Sequence, residues 1–172
     1  MLAVLRIIGT FNAAIWLGSA VFFTLGVAPG VFSAEMKKLF GDYYVGIIGQ
    51  QLIGRYFAVN LICGLIAVAH FFAEMVYSGK RFRRFQFGLI ALVLALGLIG
   101  NYMLSPRIKA LHHAKYLGSV DERETARKQL SRLHAVSATG NLVCLVALVI
   151  YTWRVTNPPD PTRFVMAQKF RG

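Results

Sequence analysis

Charged side chains are scarce in this chain, and acidic ones are the scarcest. Only 15% of its 172 residues are charged, Asp and Glu together number seven, and 56% of the residues are hydrophobic. Soluble domains carry about 25% charged residues and are about 45–50% apolar. This composition argues against a soluble globular protein and favours one that lies in a lipid bilayer.

Groups that carry chemistry are also few. The two cysteines, Cys63 and Cys144, lie inside apolar runs and provide no disulfide framework. Without further thiols or neighbouring methionines they are better interpreted as buried cysteines than as Cu(I) ligands. The sequence shows no nucleophile with a base, no Gly-rich phosphate loop and no paired carboxylates. It therefore predicts no enzymatic activity, no cofactor and no bound metal.

Charge is missing altogether from four long stretches. Between successive charged residues lie gaps of 28, 18, 22 and 21 residues, at 7–34, 56–73, 85–106 and 133–153. A helix rises about 1.5 Å per residue, so about 20 residues cross the hydrocarbon core of a bilayer. The sequence thus predicts an all-α polytopic membrane protein, a four-helix bundle with spans at about 4–28, 55–77, 85–104 and 133–153.

The segments between the spans differ in character. Residues 31–54 begin with charges and continue as an apolar, glycine-punctuated stretch, which predicts an interfacial connector helix with a break near Gly46 or Gly49. Residues 107–132 mix basic and acidic side chains, which predicts a solvated helix outside the membrane. We divide the chain into a single four-span membrane domain, 1–153, and an extended, proline-containing polar tail, 154–172.

The net charge of +12 indicates where the chain meets lipid. Lys and Arg bracket the apolar runs, most densely at 80–84, so anionic lipid headgroups explain them better than nucleic acid. We expect the lipid bilayer, and no nucleic acid, as a partner. Basic residues in short loops favour the cytoplasmic side, which predicts that both termini are cytoplasmic, in a bacterial inner membrane.

Each predicted span contains one asparagine: Asn12, Asn60, Asn101 and Asn141. An amide in hydrocarbon must find a hydrogen-bond partner, so we expect these side chains to point into the bundle. Two interpretations remain open. The asparagines either join helices, at about 0.6 kcal/mol per contact, or they line a polar pocket that opens on the connector side.

A group of polar residues begins the fourth predicted span. His134, Ser137 and Asn141 are separated by three and four residues, which places them on one face of a helix. Asn60 and Asn101 are expected at the same depth on the second and third spans. These five residues form the predicted polar pocket, although His134 could equally be an ordinary interfacial residue.

Several motifs follow one another in order along the chain. They are Trp16-Leu17-Gly18, Leu52-Ile53-Gly54-Arg55-Tyr56-Phe57, Ser105-Pro106-Arg107-Ile108 and the segment from Leu133 to Cys144. Over residues 6–150 they resemble the uncharacterised family named after human transmembrane protein 205 (domain of unknown function 4149). Ile53 and Gly54 stand where that family has Phe-Pro. The resemblance implies a four-helix membrane protein and supplies no mechanism.

A more distant likeness, through Trp16-Leu17-Gly18, is to copper-resistance membrane proteins and to the four-helix protoporphyrinogen oxidase of bacteria. Those proteins have a histidine early in their first helix. This chain has Thr10, Phe11 and Asn12 there, which argues against haem or copper chemistry.

Two functional hypotheses of different classes follow. The leading one is small-molecule or ion handling through the polar, connector-side pocket. The alternative is an accessory structural subunit that packs against a larger membrane protein complex or a second copy of itself. A haem-associated enzyme is a third, weaker hypothesis.

Overall fold

The computed structural model describes residues 2–79 and 82–157, and within them the chain is helical with no strand. The helices are α1 (Leu2–Phe22), α2 (Ala28–Val31), α3 (Ala34–Ser78), α4 (Arg84–Ile99), α5 (Ser105–Leu117) and α6 (Val120–Thr156). A π-helical turn, π1 (Phe23–Val27), joins α1 to α2, and a second, π2 (Gly100–Leu104), joins α4 to α5. The predicted all-α fold class is confirmed.

Four helical stretches are long and apolar enough to cross a membrane: Ala3–Val31, Ala34–Tyr77, Arg84–Leu117 and Val120–Thr156. In the bundle, α1 and α4 each pack against both α3 and α6, so the four stretches form a closed ring. The 45 residues of α3 correspond to roughly 67 Å of helix, counted along its kinked axis, which exceeds a hydrocarbon core of about 30 Å. The helix α3 is therefore longer than one crossing of the membrane core requires.

The buried core lies where the four helices meet. Its largest side chains are Trp16 and Tyr151, each 1% exposed, whose ring centroids lie 5.8 Å apart in an edge-to-face arrangement. Alanines on three helices, including Ala13, Ala67 and Ala147, are buried beside them and let the helices approach closely. Large apolar side chains point outwards all around the bundle, as expected where lipid is the solvent.

The predicted break near Gly46 or Gly49 is wrong, because the kink in α3 lies at Gly41. Gly41 has φ 74° and ψ 155°, a backbone conformation that side chains disfavour. A Cβ atom at Gly46 would overlap the His112 ring, and one at Gly49 would lie 2.6 Å from the tip of the Phe32 ring. These two glycines therefore permit close side-chain packing within an unbroken helix.

The segment 107–132 also differs from the single solvated helix that we expected. It contains the end of α5 and the first part of α6, separated by a turn at Gly118 and Ser119. Ser119 caps α6 in a reciprocal capping box, in which its backbone N–H donates to the Glu122 carboxylate at 2.7 Å. Ala126 and Leu130 are buried, so one face of this segment is packed rather than solvated.

The helix that carries the fourth predicted span, α6, continues to Thr156. The division of the chain at residue 153 stays a prediction. Residues 158–172, which make up most of the predicted polar tail, lie outside the described residues.

Candidate functional site

Two cavities lie along one face of α3. The larger, which we call the connector cavity, has a volume of about 370 Å³ and lies between the first half of α3, α5 and the start of α6. The smaller, the inner cavity, has a volume of about 140 Å³ and lies between α3 and α4. Five of the α3 residues that line them share one helical face, because they follow one another at three- and four-residue spacings: Gly46, Gln50, Ile53, Phe57 and Asn60.

The charged lining of the connector cavity is mainly basic. Lys37, Lys115 and Arg127 face one acidic side chain, Asp42. The Lys37 ammonium lies 3.8 Å from the Asp42 carboxylate. The Lys115 ammonium donates to the Tyr116 hydroxyl at 3.0 Å and lies 4.6 Å from the centre of that ring. Arg127 makes no hydrogen bond or ion pair within the part of the chain that the structure describes.

An aromatic cluster forms one wall of this cavity. The His112 ring is 8% exposed, stacks on Tyr43 with centroids 5.4 Å apart and lies 5.0 Å from the centre of Tyr116. Its Nε2 atom lies against Gly46 and has no hydrogen-bond partner among the described residues.

The floor of the connector cavity is apolar. Val45 is 1% exposed and Leu130 is 8% exposed, and half-buried Ile53 and Ile108 complete this surface. Basic groups at the rim and aliphatic groups at the floor make the cavity amphiphilic. Such a site can hold a ligand through one charged end and one apolar end.

The inner cavity contains two of the asparagines. Asn60 and Asn101 both line it, together with Phe57. The Asn60 side-chain oxygen accepts a 2.5 Å hydrogen bond from the Trp16 indole N–H, which fixes the orientation of the amide. The Phe57 ring packs against Gly100 in π2, where a Cβ atom would lie 2.5 Å from the tip of that ring.

The other two asparagines join helices directly. The Asn141 amide donates to the Thr24 hydroxyl in π1 at 2.8 Å, and the Asn12 amide donates to the backbone carbonyl of Cys63 at 2.9 Å. Both bonds cross between neighbouring helices, as in the structural interpretation of these residues.

The structure distributes the five predicted pocket residues over three places. Asn60 and Asn101 line the inner cavity, exposed His134 lines the connector cavity, and Asn141 lies at the contact of α6 with π1. Ser137 is half-buried on α6 between His134 and Asn141. The role of these five residues in one common site stays a prediction.

Sequence reasoning did not assign the basic residues of the connector cavity to any site. Lys37, Lys115 and Arg127 are far apart in the sequence and resemble the other basic residues that flank the spans. Only the packing of α5 against α6, and of both near α3, places them around one cavity. The one available signal is that all three lie in segments joining spans on the same side.

The end of the bundle opposite the connector cavity is closed, and we call it the turn end. Phe71, Phe82 and Phe87 pack against one another with ring centroids 5.3–5.6 Å apart. The Arg83 guanidinium lies 3.4 Å from the Glu74 carboxylate and also donates to the buried Gln86. Among the described residues of this end, the aromatic rings pack together and Glu74 and Arg83 form an ion pair.

A ring of four apolar helices around a partly polar interior defines the class of this molecule as a small polytopic membrane protein. The family model described as Domain of unknown function (DUF4149) matches residues 11–117, which are 107 of the 172 residues. The chain belongs to this family. No curated protein and no solved structure matches the chain. The further likeness to transmembrane protein 205 and to copper-resistance proteins stays a prediction.

Proposed function

We propose that this protein handles a small molecule or ion through the connector cavity. The observation that carries the proposal is the cavity itself, whose volume of about 370 Å³ lies within the range of roughly 300–1,000 Å³ that is common for ligand sites. Its lining combines an apolar floor with several polar side chains, among them His134, Gln50 and Ser131. Ligand pockets in proteins have this composition.

The polar interior below the connector cavity supports the handling of a small molecule or ion inside the protein, rather than its binding at the surface alone. The face of α3 that passes the connector cavity continues to the inner cavity, where Asn60 and Asn101 lie. Polar side chains inside a membrane are costly and commonly mark a pathway for a substrate or ion. We therefore assign the predicted group, from His134 through Ser137 and Asn141 to Asn60 and Asn101, to the same function.

The proposal can be tested by filling the cavity. Ser131 lines it from α6, and Ser131→Phe would occupy part of its volume. Ala135→Phe, an exposed position one turn further along α6, is the matched control. We expect native mass spectrometry of the full chain, released from its own membranes, to show a small-molecule or ion adduct on the wild type and on Ala135→Phe. The adduct should be lost from Ser131→Phe.

Two results would contradict ligand handling. One is a wild-type protein that carries no adduct, or only lipid that Ser131→Phe retains equally. The other is an adduct that persists unchanged in Ser131→Phe, since that ligand would occupy another place.

One observation favours the alternative function, an accessory subunit. Gly18 and Ala14 lie on the outer face of α1, both exposed, and a Cβ atom at Gly18 would meet nothing within 4 Å. Outward-facing small residues allow a second helix to approach closely in lipid. Under this alternative, Gly18→Leu should dissociate a membrane complex seen on native gels, whereas Val21→Leu, also exposed on α1, should leave it intact.

A further inference from the structure

We propose that the ligand of the connector cavity is an organic anion. Its charged group would lie between Lys115 and Arg127, and its apolar part would lie on the aliphatic floor. This inference rests on the proposed function, because it names the chemical class of ligand for the same cavity.

The lining of the cavity carries an excess of positive charge. Three basic side chains and one carboxylate line it, and that carboxylate, Asp42, is already paired with Lys37. This pairing leaves the positive charges of Lys115 and Arg127 without an acidic partner in the lining. A concave wall with an excess of positive charge attracts anions and repels cations.

The two remaining cations, Lys115 and Arg127, are held in different ways. Lys115 is held by its hydrogen bond to the Tyr116 hydroxyl and by its contact with that ring, which restricts where the ammonium can lie. Arg127 retains all its donors, since no described residue accepts from it. A guanidinium with free donors matches the two oxygens of a carboxylate or a phosphate.

The aliphatic floor of the cavity favours an organic anion over an inorganic one. Val45, Ile53, Ile108 and Leu130 form an aliphatic surface that a small hydrated ion would leave uncovered. An organic group would remove this surface from water, which is favourable in proportion to the apolar area buried. The rings of His112 and Tyr116 lie beside it and can contact a flat apolar group.

A cation or a metal ion fits the same surroundings poorly. It would be placed among Lys37, Lys115 and Arg127, with the carboxylate of Asp42 as the one acidic group of the lining. Two histidines, His112 and His134, line the cavity, but no group of three metal-ligating side chains occurs among the residues that the structure describes. The lining therefore selects by charge in favour of anions.

The test uses the full chain in nanodiscs of zwitterionic phosphatidylcholine, with binding followed by calorimetry. The probes are phenyl phosphate, inorganic phosphate and benzylammonium, which separate the organic anion from the bare anion and from the organic cation. We expect saturable binding of phenyl phosphate at one site. The affinity for inorganic phosphate should be lower than that for phenyl phosphate by about tenfold or more, and benzylammonium should not bind.

Two double variants test which basic side chains bind the phosphate group of the probe. Lys115→Gln with Arg127→Gln should weaken phenyl phosphate binding about tenfold or more, as expected for the loss of hydrogen bonds to a charged group. Lys109→Gln with Lys128→Gln removes the same charge from the same two helices but outside the cavity. This control should change the affinity for phenyl phosphate by less than about twofold. If the first double variant unfolds, the single variant Arg127→Gln carries the test, because that exposed side chain has no described partner.

Lipid phosphate and a free anion share this chemistry, and the nanodisc composition separates the two sources. In discs that contain phosphatidylglycerol, weaker phenyl phosphate binding identifies a lipid headgroup as the competing occupant, whereas unchanged binding identifies a free anion. Both results support the proposal. Equal losses in the two double variants, or phenyl phosphate binding that survives in Ser131→Phe, would overturn it.

The proposed function can survive the failure of this inference. If benzylammonium binds and is lost from Ser131→Phe, the cavity is a ligand site and the ligand is not an anion. If no adduct is found in native membranes although phenyl phosphate binds to the cavity, the chemical class is right and the handling of a native ligand is not supported.

Discussion

The turn end and the connector end of this bundle differ in how closely their side chains are packed. At the turn end, Phe71, Phe82 and Phe87 fill the interior, and the charges of Glu74 and Arg83 are paired. At the connector end, a cavity of about 370 Å³ remains between three helices. Two of the basic groups around that cavity have no acidic partner in its lining.

This difference separates a tightly packed part of the bundle from a part that contains a cavity. A helix bundle in lipid is held by close packing and interhelical hydrogen bonds, and the turn end supplies both. Un-neutralised charge and empty volume stabilise nothing, so their occurrence together at one end favours a role in binding.

The first prediction concerns which compartment each end faces, and its outcome is all-or-none. The dense basic segment at 80–84 should keep the turn end and both termini in the cytoplasm. Reporter fusions after Arg84 and at the C-terminus should both be cytoplasmic, and a fusion at Ser119 should be external. If all three report the opposite side, the molecule is inverted and the connector cavity faces the cytoplasm.

The second prediction compares two phenylalanines at the two ends. Phe71 is 4% exposed among the aromatic rings of the turn end, so Phe71→Ala should lower the free energy of unfolding by about 3–5 kcal/mol. Phe32 is 40% exposed at the rim of the connector cavity, so Phe32→Ala should cost about 1 kcal/mol or less. Unfolding titrations of both variants in one detergent measure the difference. Similar losses would show that the connector end is packed as firmly as the turn end.

The third prediction compares two glycines of α3 near the cavities. Alanine is favoured over glycine in a helix by about 1 kcal/mol, and Gly54→Ala should gain close to this because a Cβ atom there meets nothing within 4 Å. Gly46→Ala should instead lower stability by about 1–2 kcal/mol, since its Cβ would overlap His112. Thermal unfolding gives the sign of each change. A stabilised Gly46→Ala would mean that His112 moves freely.

Much of the fold was predictable because lipid imposes a simple rule on the sequence. Charge-free runs long enough to cross the bilayer identified the four spans, and the structure has them in the same order. The helix break was not predictable, because a glycine in a helix can mark either a kink or a close contact. Gly41 lies at a kink, whereas Gly46 lies at a close contact with His112. His112 is far from Gly46 in the sequence, so the sequence alone does not indicate this contact.

The candidate site was predictable only in part, for a related reason. Helical spacing predicted that His134, Ser137 and Asn141 share one side of a helix, but it could not show what each of them contacts. Asn141 meets Thr24 on another helix, whereas His134 lines a cavity with His112. Which residues share a cavity depends on helix packing, and therefore the convergence of Lys115 and Arg127 could not be read from their positions in the chain.

The two π-helical turns have a consequence for the phasing of the helices. In each, a backbone N–H reaches the carbonyl five residues earlier, from Ala28 to Phe23 and from Ser105 to Gly100. One residue corresponds to about 100° of rotation in a helix, so each turn acts as a single inserted residue that rotates everything after it. Deleting one residue from π2 would restore an α-helix and turn α5 by about 100°. His112 would then leave Gly46, and the wall of the connector cavity would be assembled from a different set of side chains.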